Sequence, residues 1–204
     1  MVEENTYIIS NAMGQAIIID CGALYPEEQA TLHTYIDQKG LHPILALNTH
    51  AHFDHIFGAQ WVKDTYGLSP QFHPADLPLY EHSDEAVQQF FRRKFDFPHP
   101  LAGHPLSDGQ KISFGQHQLT VIHTPGHTPG GVCFYCEAEK VLFSGDTLFL
   151  NSIGRCDLPG GDLQQLVMAI RTRLLPLPDD VTVLPGHGPS TTIGHERRHN
   201  PYLQ

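Results

Sequence analysis

Residues 50–55 read His50-Ala51-His52-Phe53-Asp54-His55 (HAHFDH) and follow directly on an apolar run that predicts a buried strand. Three imidazoles and a carboxylate within six positions cost free energy to bury unless they are paired or bind a metal ion. Alternate side chains of an extended segment lie on the same side, so His50, His52 and Asp54 are expected to project together while His55 points elsewhere. That arrangement suits two metal ions better than one.

Three further segments place a histidine or an aspartate among glycines and prolines. They read TPGHTPG over 124–130, SGDT over 144–147 and PGHGP over 185–189, and they contain His127, Asp146 and His187. Each of these residues follows an apolar run within a few positions, as His50 does, and ligands of open α/β sheets bind beyond the carboxyl ends of strands. Any one of them also fits a turn residue bonded to the backbone. Together they predict a shared metal site at one sheet edge.

Short apolar runs alternate with helical periodicity along the whole chain. Strands are predicted over 6–10, 16–19, 44–47, 70–72, 111–114, 119–122, 132–135, 140–143 and 181–184, and helices over 26–40, 55–67, 84–95 and 162–174. This order is typical of an α/β protein. An apolar strand ends in aspartate in each half, at Asp20 and at Asp146, which favours two similar halves that face each other. We expect one domain over 1–204, with an insertion over about 73–106 that is rich in aromatic residues, histidine and proline.

Composition limits the class of protein. The chain has 204 residues, is 40% hydrophobic and carries a formal net charge of −10 with neutral histidines. An acidic chain argues against a nucleic-acid partner, and no run approaches the roughly 18 apolar residues of a membrane span. The first residues show neither a secretory signal nor a transit peptide, so the expected location is cytoplasmic. The oligomeric state stays open.

The order of HAHFDH, PGHTPG, SGDTLF and PGHG resembles that of the metallo-β-lactamase fold superfamily from about Asn5 to Pro189. GRCD over 154–157 and TTIGHERRHNP over 191–201 are similar to segments of the short (type II) glyoxalase II-like hydrolases, relatives of hydroxyacylglutathione hydrolase that lack the long family's helical tail. The resemblance implies a four-layer αββα sandwich with its site along one edge.

The resemblance also implies a dinuclear metal centre. The first ion would be held by His50, His52 and His127, the second by Asp54, His55 and His187, with Asp146 as the bridge. Imidazoles with carboxylates suit Zn²⁺, and the mixed N/O set also accepts Fe or Mn. Two such ions lower the pKa of a bridging water toward about 7, so that hydroxide could attack a thioester carbonyl. Asp54 would orient that hydroxide, which makes Asp54 and Asp146 the catalytic residues.

The expected substrate is a small-molecule thioester of the S-2-hydroxyacylglutathione type, such as S-D-lactoylglutathione. Arg155 and Asp157 of the GRxD segment are the predicted substrate-binding residues, although Arg155 also fits an ordinary surface cation. Asp20 is either a residue that holds a ligating histidine or a simple turn residue. Without the helical tail, glutathione itself stays open. The insertion contains four phenylalanines that either line an acyl pocket or simply pack against other residues. They are Phe90, Phe91, Phe95 and Phe97.

Three alternatives share these motifs. A persulfide dioxygenase would bind one iron on two histidines and one aspartate and would take up oxygen. A lactonase, β-lactamase or other acyl hydrolase would use the same fold. The third alternative is a metal-binding protein without activity, but such a protein does not require ligands from several glycine-rich turns to meet at one point. Cys133 and Cys136 form a CxxC pair, but a three-residue offset on a strand puts the thiols on opposite faces, which argues against a redox or zinc motif.

Overall fold

The computed structural model describes residues 3–92 and 98–204. The first sheet consists of β1 (Tyr7–Ser10), β2 (Gln15–Ile19), β3 (His42–Leu47) and β4 (Pro70–Gln71), in that spatial order. β1 and β2 are antiparallel, whereas β2, β3 and β4 run parallel. β1 and β2 form a hairpin that turns at Gly14, whose φ of +77° favours glycine.

A second sheet contains most of the remaining strands. It is built from β5 (Lys111–Phe114), β6 (His117–His123), β7 (Val132–Cys136), β8 (Val141–Gly145), β11 (Thr182–Pro185) and β12 (Thr191–Thr192). The spatial order is β12-β11-β8-β7-β6-β5, with β8 and β11 parallel and the other pairs antiparallel. A small hairpin of β9 (Leu148–Phe149) and β10 (Ser152–Ile153) follows β8. All nine predicted strands are present.

The helices connect and cover these sheets. They are α1 (Pro26–Gln38), α2 (Phe53–Ile56), α3 (Ala59–Tyr66), α4 (Leu77–Glu81), α5 (Ser83–Phe91), α6 (Leu163–Ala169) and α7 (Ile193–His199). A π-helical segment, Ile170–Leu174, continues α6. Asp162 caps α6, because its carboxylate accepts from the Gln165 N–H at 2.9 Å. No helix within the described ranges is both long and apolar enough to cross a membrane.

Alternating burial on the strands produces four layers. Ile17 and Ile19 of β2 point inward and pack with Phe134 and Phe143 of the second sheet. Ile18 points the other way, into a cluster with residues of α1 and α3. The outer face of the second sheet packs on α6 and its π-helical continuation. The molecule is therefore an αββα sandwich, as the resemblance implied.

The CxxC pair confirms the same alternation. Cys133 lies in the cluster that faces α6, whereas Cys136 lies between the two sheets. The thiols are on opposite faces of β7, as expected, and both are free.

Two predicted helices differ from the structure. The helix expected over 55–67 is divided into α2 and α3, because the backbone at Gly58 lies against Cys21 and donates to its carbonyl at 2.8 Å. The helix expected over 84–95 is α5, which ends at Phe91, and Arg92 follows with a left-handed φ of 51°. The short helix α4 was not predicted. Phe95 and Phe97 lie outside the described residues.

Candidate metal centre

The predicted metal ligands meet at one edge of the sandwich, beyond the ends of β3, β6, β8 and β11. His50 and its neighbours follow β3, His127 follows β6, Asp146 follows β8 and His187 follows β11. We call two groups of them the first and the second cluster. The first cluster is His50, His52 and His127, and the second is Asp54, His55 and His187. Within each cluster one ligand atom from each residue lies within 4.8 Å of the others.

The first cluster consists of imidazoles alone. The ring centroids of His50 and His52 are 4.8 Å apart, and His127 lies 4.8 Å from His50 and 4.6 Å from His52. His50 and His127 are almost completely buried. Three neutral imidazoles at one point form a donor set that suits Zn²⁺.

The second cluster corrects one expectation from the sequence. Asp54 was expected to project with His50 and His52 from an extended segment, but the chain enters α2 at Phe53. Successive helical residues are neighbours on adjoining faces, so Asp54 joins His55 instead. Asp54 Oδ2 lies 3.3 Å from His187 Nε2. The alternation of side chains along an extended segment therefore applies to His50 and His52 but not to Asp54.

Asp146 lies between the clusters. Its Oδ1 is 3.4 Å from His55 Nε2, and its Oδ2 is 3.5 Å from His127 Nε2 and 3.7 Å from His187 Nε2. One carboxylate thus contacts residues of both clusters, with Oδ2 near one residue of each and Oδ1 near a second residue of the second cluster. Gly186 permits this approach, because a Cβ atom there would overlap Asp146 Oδ1 and His55 Cε1. This is the geometry that a bridging ligand requires.

Buried polar atoms without partners test whether metal ions fit these residues. Four buried atoms neither donate nor accept a hydrogen bond within the described part of the chain, and they are His50 Nε2, His55 Nε2, His127 Nε2 and Asp146 Oδ1. Buried polar groups are normally paired, since an unpaired one costs about 1–3 kcal/mol. Four such atoms at one place, all of ligand type, fit a pair of divalent cations.

The outer nitrogens of two ligands are held by backbone carbonyls. His127 Nδ1–H donates to the Arg155 carbonyl at 2.7 Å, and His187 Nδ1–H donates to the Glu3 carbonyl at 2.6 Å. A carbonyl can only accept, so Nδ1 carries the proton and the Nε2 lone pair is directed at the centre.

Asp20 holds two further ligands. Thr49 Oγ1–H donates to Asp20 Oδ2 at 2.6 Å, so His50 Nδ1–H must be the donor in its 3.0 Å contact with Thr49 Oγ1. His55 Nδ1 lies 3.1 Å from the same Asp20 oxygen. Asp20 has a left-handed φ of 51°, an uncommon conformation that occurs often at functional sites. The geometry places Asp20 behind the predicted ligands, and it adds Thr49, which the sequence did not indicate.

The imidazoles of the site differ in the direction in which their pKa values are shifted. Burial and neighbouring imidazoles hold the pKa of His50 well below its usual value and lower the pKa of His52 to about 3. Burial alone would also lower the pKa of His55, but the carboxylates of Asp146 and Asp20 outweigh it and raise that pKa. Burial would raise the pKa of Asp146, yet the surrounding imidazoles hold it well below its usual value. His50 and His52 therefore offer neutral nitrogens and Asp146 offers an ionised carboxylate, the states in which these groups bind metal.

Asp76 is a functional candidate that sequence reasoning missed. It is fully buried at the end of a short 3-10 helix, Pro74–Asp76. Its Oδ2 accepts from the Ala51 N–H at 3.1 Å and from Thr128 Oγ1 at 2.9 Å, and its Oδ1 accepts from the Gly130 N–H at 2.6 Å. Ala51 separates two ligands of the first cluster, and Thr128 follows the third. One carboxylate therefore ties together the two loops that carry the first cluster.

Asp76→Asn tests this role. The amide nitrogen of asparagine cannot accept, so at least one of the three donors loses its partner and the two loops are no longer held in register. We expect metal affinity at the first cluster and kcat/KM to fall about 10- to 100-fold, as they do when groups behind metal ligands are removed. Metal content after equilibrium dialysis and steady-state kinetics measure these effects.

The matched control is Asp37→Asn, which changes the same groups on a side chain that is 64% exposed. It should leave metal binding and turnover unchanged. An Asp76→Asn protein that binds metal with wild-type affinity and stoichiometry would contradict the assignment.

Both clusters open into one pocket of about 760 Å³. Arg155 and Asp157, the predicted substrate-binding residues, behave as a pair near it. Arg155 lines the pocket and donates through Nε and Nη2 to the two Asp157 oxygens at 2.8 and 2.7 Å. The hydrogen bond from Arg155 lowers the pKa of Asp157 to about 2. Arg155 Nη1 makes no hydrogen bond with the described residues and stays available to a ligand.

Comparison with known proteins agrees with this architecture. Residues 2–187 match the metallo-beta-lactamase superfamily. The hydroxyacylglutathione hydrolase GloC of Haemophilus influenzae is 36% identical over 202 residues, which cover 98% of this chain and 93% of GloC.

Two crystal structures are also similar over nearly their whole length. The BLEG-1 B3 metallo-beta-lactamase is 39% identical with a TM-score of 0.88, covering 98% of this chain and 94% of that one. TTHA1623 in a di-iron-bound form is 42% identical with a TM-score of 0.87, covering 99% and 96%. Motif order, layer arrangement and overall similarity lead to one conclusion. The chain is a metallo-hydrolase that belongs to the metallo-beta-lactamase superfamily.

Proposed function

We propose that this protein is a dinuclear metal-dependent thioesterase that hydrolyses S-2-hydroxyacylglutathione thioesters of the S-D-lactoylglutathione type. The observation that carries the proposal is the position of Asp146 between two three-residue clusters that open into one pocket. The similarity to GloC of Haemophilus influenzae supports the choice of substrate. The free thiols of all four cysteines fit a reducing cytoplasmic location.

Each cluster would hold one divalent ion, with Asp146 shared between them. Zn²⁺ suits the imidazole-rich first cluster, and Fe or Mn fits the same mixed donor set. When bound, such ions lower the pKa of a water molecule between them and polarise the carbonyl oxygen of the substrate.

Asp54 is the residue that we assign to the attacking water. Its Oδ2 faces His187 Nε2, so Oδ1 is the oxygen that can accept from the water and orient it toward the carbonyl carbon. Burial would raise the pKa of Asp54, but the neighbouring imidazoles of His187 and His55 outweigh it and lower that pKa, so the carboxylate is ionised. Addition of water to the carbonyl and cleavage of the C–S bond then release a carboxylic acid and a thiol.

The loop that follows β10 would bind the thiol part of the substrate. Asp157 fixes the plane of the Arg155 guanidinium, and Nη1 of Arg155 can donate to a carboxylate of glutathione. The same loop contributes the Arg155 carbonyl that holds His127. One short segment would therefore both contact the substrate and hold a metal ligand in position.

A panel of acyl substrates tests the proposal. The protein loaded with Zn, Fe or Mn is assayed with S-D-lactoylglutathione, other thioesters, lactones and β-lactams, while oxygen uptake is followed with glutathione persulfide. We expect release of free thiol from S-D-lactoylglutathione without oxygen uptake, and a higher KM for that substrate in Arg155→Lys. Failure to release thiol from any thioester at any metal loading would refute the proposal.

A β-lactamase activity is the second candidate. The specific observation in its favour is the 39% identity to the BLEG-1 B3 metallo-beta-lactamase. Opening of a β-lactam ring at a rate comparable to thioester hydrolysis, in the same panel, would favour it.

A further inference from the structure

The pocket has an apolar part that the proposed lactoyl substrate does not fill. Phe53, Leu79, Ala86 and Phe90, from α2, α4 and α5, line it, and we call these four residues the aromatic wall. The rings of Phe53 and Phe90 are 5.3 Å apart. Phe90 is nevertheless 57% exposed. A contiguous exposed apolar surface beside a reaction centre is typical of a ligand-binding surface.

Charge is absent from this wall. Among the described residues that line the pocket, the one arginine or lysine is Arg155, which belongs to the loop after β10. Near the wall, Ser83 and Gln89 add only neutral polar groups to the lining. A carboxylate-bearing part of a substrate is therefore attracted to the Arg155 loop, and an uncharged part is favoured at the wall.

The wall also begins at the metal centre. Phe53 stands between the ligands His52 and Asp54 in the chain, and all three line the same pocket. The scissile carbonyl must reach these ligands, so a group attached directly to it reaches Phe53 first. A lactoyl group ends two carbons beyond its carbonyl, which is shorter than the 5.3 Å between the Phe53 and Phe90 ring centroids.

We propose that the aromatic wall binds the acyl arm of the thioester, and that the preferred acyl group is an apolar chain or ring of about six carbons or more. This inference rests on the proposed thioesterase function and names its substrate class. The thiol arm, with its carboxylates, lies toward Arg155. Each fully buried methylene is worth about a factor of four in binding, and about half that when one side faces solvent.

The test varies the acyl group while the thiol stays glutathione. We expect wild-type kcat/KM to be about tenfold higher for S-hexanoylglutathione than for S-propionylglutathione, since three methylenes are added. Phe90→Ala should remove most of this advantage, with a much larger loss of kcat/KM for the hexanoyl than for the propionyl substrate. Ala86→Glu, a change at an exposed helical position, should lower the hexanoyl rate selectively by placing a charge on the wall. Gln88→Ala, on the same helix but outside the pocket lining, is the control and should change neither rate.

The outcomes separate the two proposals. Hydrolysis of S-D-lactoylglutathione without any preference for the longer acyl chain overturns this inference alone, whereas the absence of hydrolysis of every thioester overturns the proposed function. An equal loss on both acyl groups in Phe90→Ala also overturns the inference. S-hexanoyl-N-acetylcysteamine carries the same acyl group on a different thiol. If Phe90→Ala loses activity with S-hexanoylglutathione but not with this second thioester, the wall contacts the thiol arm, and the inference is overturned as well.

Discussion

Asp146→Asn is expected to lower kcat/KM for thioester hydrolysis about a thousandfold and to leave at most one tightly bound metal ion. The side-chain shape is kept, but asparagine offers one neutral oxygen where the carboxylate offers two charged ones. Asp146 Oδ1 faces His55 of the second cluster, and Oδ2 faces both His127 of the first and His187 of the second, at 3.4–3.7 Å. The amide nitrogen of asparagine must replace one of these two acceptors. Metal content and kinetics on the same preparation measure both losses.

The control for this substitution is Asp180→Asn. Asp180 is 59% exposed and pairs with Lys140, away from the centre. It should retain two metal ions and full activity. If Asp146→Asn also kept two ions and wild-type turnover, Asp146 would not bridge the clusters and the dinuclear mechanism would be wrong.

Removal of metal by a chelator is expected to abolish hydrolysis and to destabilise the fold. An ion that binds only the folded protein, at 100 times its dissociation constant, adds about 2.7 kcal/mol to the free energy of unfolding. Without the bound ion, the buried Nε2 atoms of His50, His55 and His127 lose their partner, because no other described residue forms a hydrogen bond with them. Urea unfolding with and without chelator measures the loss, and activity is followed in parallel.

Reconstitution supplies the control. Addition of Zn, Fe or Mn to the chelated protein should restore both activity and stability, and two equivalents should be needed for the full effect. The relative TTHA1623 has been solved in a di-iron-bound form, which makes iron a necessary arm of this experiment. Chelated protein with unchanged turnover and unchanged unfolding would show that the clusters hold no functional metal.

Local patterns predicted the individual strands well, whereas the four-layer arrangement was implied by the resemblance to a family. Ile17, Ile18 and Ile19 all read as apolar, and in a strand such a run must bury both faces. The structure places Ile18 against α1 and α3 and the other two between the sheets. The failures have local causes too. The chain becomes helical at Phe53, inside a segment interpreted as extended, and contact with Cys21 at Gly58 ends that helix early.

The residues behind the ligands were harder to find. Asp76 reaches Ala51, Thr128 and Gly130 across 25 to 54 positions of sequence, and no spacing rule connects them. The Glu3 carbonyl holds His187 from 184 positions away, and a backbone carbonyl has no signature in a sequence at all. Asp20 could be suspected only because it ends an apolar strand as Asp146 does.

Residue type and short-range periodicity indicated by themselves which groups could bind metal and that these groups follow strands, since turns rich in glycine and proline after apolar runs leave few other positions for buried imidazoles. Only the tertiary structure decided how those groups are divided. The register between β8 and β11 and the entry into α2 place Asp146 between the two clusters, and the return of the insertion places Asp76 behind the first cluster. These distances depend on the packing of segments far apart in the chain, and that packing is a property of the whole sandwich rather than of any local stretch.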